Sequence, residues 1–265
     1  MRPIIDESTA LVTGASSGIG KAICQQLAPK IAHLILVARR KERLEALASE
    51  LRAAHKGLVV LVEPVDLGDP AAIDALLGRL PPVDLLINNA GMGDLALFER
   101  SDWSKLENML MVNINALVQL TRGLIDGMLE RKRGGILNIS SGFGLSFFPG
   151  AAAYVGSKHF VSGFSESLRA ELQGTGVTLT QVCPGPVATG FEAVAGNPSG
   201  HQIPSFIELS ADECAHAALR GFARGKALVI PGFWIKIVLF ISAWTPRFIQ
   251  RFALRGIGPW LRKRP

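Results

Sequence analysis

The sequence predicts an α/β domain built on a doubly wound parallel sheet of about seven strands. Seven short runs rich in Val, Ile and Leu recur along residues 1–232. They show little polar alternation, as strands covered on both faces do. Stretches with helical apolar spacing lie between them, and repeated βα units of this kind close into a parallel sheet with helices on both faces. No internal repeat or low-complexity linker breaks the series, so residues 1–232 read as one domain and residues 233–265 as a basic amphipathic tail.

The expected strands are "STALVT" running up to Gly14, "HLILVA" from His33, "LVVLVEPV" from Leu58, "VDLLINNA" from Val83, "GILNIS" from Gly135, "VTLTQVC" from Val177 and "ALVIP" from Ala227. "KERLEALASELRAAH" from Lys41 and "SKHFVSGFSESLRAELQ" from Ser157 carry helical spacing. Ser210 and Glu213 form a capping-box pattern at the start of "SADECAHAALRGFARG", and Gly225 marks its end. Between Thr189 and Leu209 the chain is rich in Gly, Pro and aromatic residues without periodicity. A loop of that length in a compact domain points to a lid.

Composition narrows the class. Apolar residues make up 48% and charged residues 19% of the 265 residues, enough for a buried core and unlike a disordered chain. Cys24, Cys183 and Cys214 are odd in number and lack metal-like or C-x-x-C spacing. The histidines His33, His55, His159, His201 and His216 are scattered, so no metal is expected. Reduced thiols and the lack of a signal-like apolar segment after Arg2, Asp6 and Glu7 fit a cytoplasmic protein. The net charge of +6 is unevenly placed: ten Lys or Arg and no Asp or Glu follow from Cys214 onward, leaving 18 basic against 22 acidic residues before it, a net of −4. A mildly acidic body argues against nucleic acid as a partner and gives the basic tail a separate role.

The first chemical motif is "TGASSGIG", Thr13 to Gly20, directly after the first strand and at a helix start. Gly14, Gly18 and Gly20 allow a tight turn and close approach of backbone to phosphate, where the helix N-terminus favours negative charge. The second strand ends "LVARR". Where many dinucleotide-binding folds carry a carboxylate for the ribose hydroxyls, Ala38 stands instead, followed by Arg39 and Arg40. Guanidinium groups suit a 2′-phosphate, so NADP(H) is expected over NAD(H). The only tyrosine of the chain, Tyr154, lies four residues before Lys158. On a helix the two share a face with Cβ atoms about 5–6 Å apart. An unperturbed phenol has a pKa of about 10, and a neighbouring ammonium is expected to lower it toward a useful acid/base range.

These motifs occur in a fixed order with "NNAG" (Asn88–Gly91), "VNINA" around Asn113, "ISS" (Ser140, Ser141), "YVGSK" and "PGPVAT" (Pro184–Thr189). Over about residues 8–231 the chain resembles a single-domain short-chain dehydrogenase/reductase, whose fold is a Rossmann-type sheet. The resemblance implies that Tyr154 is the proton-transfer residue and that Ser141 hydrogen-bonds the substrate oxygen, with Ser140 structural. It implies that Lys158 tunes Tyr154 and holds the nicotinamide ribose, and that Asn113 supports a proton-relay water or kinks its helix. The implied cofactor wall comprises Gly14, Ser16, Ser17, Gly18, Ile19, Gly20, Arg39, Arg40, Asp66, Asn89, Ala90, Gly91, Pro184, Gly185, Val187 and Thr189, with Asp66 at the adenine and Thr189 at the carboxamide.

Around the expected reacting centre, Phe143, Phe147 and Phe148 in "GFGLSFFPG", and Phe191, Ile203, Phe206 and Ile207 in the lid, point to a small lipophilic carbonyl or alcohol as substrate. In the tail, "FWIKIVLFISAW" is too short to span a bilayer. After Thr245 and Pro246, Arg247, Arg251 and Arg255 recur every four residues beside Phe248, Ile249 and Phe252. Peripheral contact with an anionic membrane is one reading of this basic amphipathic helix. The rival, preferred because an apolar tail folded over the body also covers the substrate cleft, is a subunit contact in the homodimer or homotetramer usual for the family.

The expected function is NADP(H)-dependent interconversion of a carbonyl and a secondary alcohol, working as a carbonyl reductase. Alternatives are an NAD-linked alcohol or hydroxysteroid-type dehydrogenase, and a nucleotide-binding membrane-surface protein without turnover.

Overall fold

A computed structural model describes residues 2–191, 195–196 and 207–263. Seven strands form one wholly parallel sheet: β1 (Thr9–Thr13), β2 (His33–Ala38), β3 (Val59–Pro64), β4 (Leu85–Asn88), β5 (Gly134–Ile139), β6 (Val177–Val182) and β9 (Leu228–Val229), in the order β3-β2-β1-β4-β5-β6-β9. The predicted α/β doubly wound fold is what the chain adopts. Its seven strands fall within or one residue beside the apolar runs read from the sequence, with frayed ends. β4 stops at Asn88 because the Asn89 N–H turns back to the Ile87 carbonyl (3.1 Å) and leaves the ladder.

Alternate strand residues feed the two faces, as period-two geometry requires. Ala10, Val12, Leu34, Leu36 and Ile87 pack against helices α1 (Gly18–Leu27), α2 (Lys41–Ala54) and α7 (Ala211–Ala223). Leu11, Ile35, Val37, Leu86 and Ile136 pack against α3 (Pro70–Leu77) and α5 (Ala116–Glu130). Both faces are covered, which is why the strands lack polar alternation.

Two elements bear directly on the site. Helix α6 (Ala152–Glu171) starts earlier than its apolar spacing indicates and carries Tyr154 and Lys158 in its first turns. Between α4 (Trp103–Leu110) and α5 the chain makes a π-helical turn, Met111–Asn115, centred on Asn113. A π-helical turn of this kind is common near functional sites.

The predicted capping box is formed in full: Ser210 Oγ accepts from the Glu213 N–H (3.1 Å), and the Ser210 N–H donates to Glu213 Oε2 (2.9 Å). α7 ends at Gly225, whose φ of +66° few side chains tolerate. A short parallel pair, β7 (Val187–Ala188) with β8 (Leu209–Ser210), brackets the expected lid. Most of that lid, including His201, Ile203 and Phe206, lies outside the described residues.

Residues 233–263 form three helices: α8 (Phe233–Trp244), α9 (Arg247–Leu254) and α10 (Ile257–Arg262). α10 is tied to the body by Arg262 Nε to Glu99 Oε1 at 2.7 Å and by Arg100 Nη2 donating to the Arg262 carbonyl at 2.9 Å.

Phe222 is fully buried under β5, where its ring occupies the space that a side chain at Gly135 would need. Phe222→Ala is expected to cost about 3–5 kcal/mol, read as a lowered urea midpoint with unchanged slope.

Candidate active site

The order of strands reverses between β1 and β4, and ligands of open α/β sheets bind at the carboxyl ends of strands beside such a reversal. A cleft of about 990 Å³ opens there, walled by the turns after β1, β2, β3, β4, β5 and β6 and by helices α8 and α10.

At one end lies the glycine turn. Gly14 (φ +66°) and Gly18 (φ +54°) take left-handed conformations that glycine tolerates best. Ser17 caps α1 in extended conformation without a side-chain capping bond to the helix, and no acidic residue stands in the first turn. The first N–H groups of the helix therefore keep no side-chain partner of their own. Gly14, Ser16, Ser17, Gly18 and Ile19 all line the cleft. Gly20 corrects the expected set: it is absent from the wall, and a Cβ there would collide with Asn89 Nδ2 and the Gly14 carbonyl. It serves the packing of the turn.

Beside the turn, Arg39, Arg40 and Arg43 line the same wall. Arg40 Nη2 donates to Ser16 Oγ and Ser17 Oγ, each at 3.1 Å. Its guanidinium is held below its ordinary pKa, first by desolvation and then by repulsion from Arg43 and Arg39. Among the described residues none of the three enters an ion pair. Asp66 also lines the wall, its Oδ1 accepting the Gly68 N–H at 2.9 Å.

The "NNAG" turn is set by Thr13, the first residue of the glycine-rich motif. Thr13 Oγ1 accepts from the Asn89 and Ala90 N–H groups, each at 2.9 Å, and donates to the Ile87 carbonyl at 3.2 Å. Asn89 Nδ2 returns to the Thr13 carbonyl at 2.8 Å. Asn89, Ala90 and Gly91 are thereby fixed on the cleft wall.

Opposite stand Ser141, Tyr154 and Lys158. Tyr154 is 6% and Lys158 5% exposed, both at the cleft surface. Phe143 meets the Tyr154 ring edge-on at 6.2 Å and Phe191 tilts against it at 5.6 Å. Lys158 Nζ lies 5.8 Å from the ring centroid and donates to the Ile139 carbonyl at 3.2 Å.

Burial pushes the Tyr154 phenol up to about 12, only partly offset by its hydrogen bond with Ser141, and pushes the Lys158 ammonium down to about 8. The expected lowering of the phenol by its neighbour is thus overturned. Burial sets the direction of both shifts, because both groups sit in the same dry wall.

Behind this wall, Ser140 Oγ and Ser162 Oγ both donate to the Lys158 carbonyl, at 3.1 and 3.0 Å, in keeping with a structural Ser140. Asn113 also stands behind the wall rather than on it. Its Nδ2 donates to the Met92 carbonyl (2.9 Å) and Ser157 Oγ (3.0 Å), and its Oδ1 accepts the Met92 N–H (2.8 Å). Both donors are committed and one lone pair of Oδ1 is spare. Across Gly91, that oxygen and Lys158 Nζ each lie 3.4 Å from where a Cβ would stand.

Pro184, Gly185, Val187 and Thr189 complete the wall, the Pro184 carbonyl accepting the Gly142 N–H at 2.7 Å. Phe143, Phe148 and Phe191 line it; Phe147 does not. His159 turns away, its Nδ1 3.0 Å from the Val155 carbonyl, and no metal-binding cluster occurs among the described residues.

Residues 8–198 match the family model for short chain dehydrogenases. The chain belongs to the short-chain dehydrogenase family. It is 36% identical over 228 residues to an uncharacterized oxidoreductase of Myxococcus xanthus, covering 83% of this chain and 86% of that protein. A short-chain dehydrogenase from Sphingobium yanoikuyae, solved in complex with NADPH, superposes with a TM-score of 0.79 at 32% identity, covering 89% of this chain and 93% of the other. One from Burkholderia phymatum, in complex with NAD, superposes with a TM-score of 0.77 at 25% identity, covering 89% and 93%.

Sequence reasoning missed Arg43 and the bracing role of Thr13, and it expected the tail over the cleft without naming Ile235, Leu239 or Leu261. Arg43 was findable: three residues after Arg40 in the first turn of α2, it must share that helix face. Thr13 opens the glycine-rich motif, but its role at the second turn depends on which strand lies beside β1.

A folded-state lysine pKa below the unfolded value means that the unfolded chain binds more protons between about 8 and the ordinary value of 10.5. Stability conferred at this site therefore rises as pH climbs through that window. Urea melts of the parent and Lys158→Met proteins at pH 7.5 and 9.5 are expected to show the parent gaining relative to the variant at the higher pH.

Proposed function

We propose that this short-chain dehydrogenase is an NADP(H)-dependent enzyme that interconverts a carbonyl and a secondary alcohol on a lipophilic substrate, acting as a reductase. The carrying observation is that one cleft joins the unbalanced guanidinium groups, the open α1 N-terminus and the Ser141–Tyr154–Lys158 cluster. The residues fit a phosphorylated dinucleotide: among the described residues the guanidinium groups at one end have no acidic partner, and a buried ammonium retains donors beyond its bond to Ile139 at the other.

Arg39, Arg40 and Arg43 would hold the 2′-phosphate, and the α1 N-terminus with Gly14 and Gly18 the pyrophosphate. Asp66 and Asn89 belong to the adenosine side, Lys158 to the nicotinamide ribose and Thr189 to the carboxamide. Bound there, the reduced nicotinamide supplies a hydride to the carbonyl carbon.

The chain itself handles the oxygen. Ser141 Oγ–H donates to it and stabilises the developing negative charge. Tyr154 Oη then gives up its proton as a bond from that proton to the substrate oxygen forms. A phenol near 12 is a reluctant acid toward water but an adequate one toward an alkoxide, and the Lys158 ammonium stabilises the phenolate left behind. Asn113 Oδ1, with its spare lone pair behind Gly91, is placed to hold a water that returns the proton. The apolar wall around Tyr154 excludes bulk water and favours a substrate with few polar groups.

Tyr154→Phe is expected to lower kcat for reduction of apolar ketones by about 10²–10⁴-fold, measured as NADPH oxidation across ketones, aldehydes and 3-oxoacyl thioesters. Unchanged turnover would remove Tyr154 from the mechanism, and no turnover by the parent on any carbonyl would remove the reductase reading.

Coenzyme choice is tested separately, the Burkholderia phymatum relative having been solved with NAD. Charge-assisted hydrogen bonds contribute about 1.5–3 kcal/mol, so Arg39→Asp with Arg40→Ala is expected to shift the NADPH-to-NADH ratio of kcat/KM by about ten- to a hundredfold toward NADH. A parent enzyme that already prefers NADH would contradict the role given to these arginines.

A further inference from the structure

Helix α8 has two faces with different neighbours. Ile235 packs on Gly185 and the buried Leu239 approaches Gly142, closing the cleft beside Ser141. The opposite side shows Phe240, Ile241 and Trp244 to solvent, Trp244 at 74% exposure. In α9 no residue is buried; Phe248 is 70% and Phe252 77% exposed. Exposed apolar side chains grouped along two successive helices in this way mark an interaction surface.

Its charge says which kind. Arg247, Arg251 and Arg255 flank the Phe248–Phe252 side of α9, Lys236 stands exposed on α8, and no Asp or Glu occurs from residue 214 onward. A second copy docking through a two-fold axis would set these arginines against one another with no carboxylate of the tail between them. An anionic lipid surface meets both features, taking the aromatic side chains among its acyl boundaries and the arginines among its phosphates. No helix among the described residues is long and apolar enough to cross a membrane, so α8 and α9 would lie in the interface plane. α10 holds the arrangement in place through Leu261, 3% exposed, and the Arg262–Glu99 pair.

We propose that α8 and α9 form a docking surface for an anionic membrane leaflet and set the mouth of the cleft at the lipid boundary. Val238 joins the two, being both exposed and part of the cleft wall. Entry of a lipophilic carbonyl from the leaflet rests on the function proposed above; docking does not.

The test is flotation of the full chain with vesicles of phosphatidylcholine alone and of phosphatidylcholine with phosphatidylglycerol. Binding is expected only with phosphatidylglycerol, to weaken with salt, and to fall roughly fivefold for each arginine replaced in the series R247Q, R251Q and R255Q. F248S with F252S should weaken it as well. These side chains are exposed, and an unchanged urea midpoint verifies that the variants fold. No flotation with phosphatidylglycerol, or flotation indifferent to lipid charge and to the arginines, would overturn the proposal. So would a dimer that F248S with F252S dissociates while the parent ignores vesicles, since the face would then belong to a second copy. The Tyr154→Phe protein should float like the parent. A parent that floats but reduces no carbonyl leaves docking intact and removes the catalytic reading.

Discussion

A buried ammonium organises this site. Lys158 stands 5% exposed at the carboxyl end of β5, with the Ile139 carbonyl as its acceptor. An ion taken out of water needs hydrogen bonds in exchange, and burial pushes this ammonium down to about 8. The surroundings hold its backbone still: Ser140 and Ser162 both bond the Lys158 carbonyl, and Gln181 Nε2 reaches Ser162 at 2.6 Å. Rigid placement of an under-solvated cation against an open cleft is a means of binding polar oxygen there.

The same dryness sets the character of Tyr154. A free phenol beside a lysine on a wet helix face would be expected to acidify. Here Phe143 and Phe191 flank the ring and α6 packs against β6, so desolvation dominates. The pairing at i and i+4 guarantees proximity, whereas the sign of the shift depends on what covers the pair. Sequence holds the first kind of information directly. The second exists only once the loop after Ser141 and the segment carrying Phe191 have folded over the helix.

That distinction runs through the molecule. The strands were legible because burial on both faces forces Val, Ile and Leu into unbroken runs, and Gly14 and Gly225 were legible because a positive φ leaves few alternatives. Ser210 and Glu213 announced their helix because a capping box is local. Contacts between distant segments were not: Thr13 braces Asn89 and Ala90 across 76 and 77 positions, and Asn113 clamps the backbone of Met92 from a π-turn. The motifs mark Thr13 and Asn113, but which backbone each one holds is settled only when the neighbouring segment is known. Arg43 lies between these cases, since a helical wheel places it beside Arg40 while only the fold places both at the cleft.

The tail shows how one element can answer to two environments. An amphipathic helix that merely closed a cleft would need polar residues on its far side, where water would otherwise meet hydrocarbon. α8 instead turns Ile235 and Leu239 inward and leaves Ile241 and Trp244 outside, and α9 continues the outer surface with arginines interleaved. The inward face is explained by Gly142 and Gly185, which leave no side chain between helix and turn. Among the described residues nothing packs on the outward face. A helix apolar on both sides is stabilised when both are covered, which is the part proposed above for an anionic leaflet. The chemistry of that cover is set by the basic residues that frame the face.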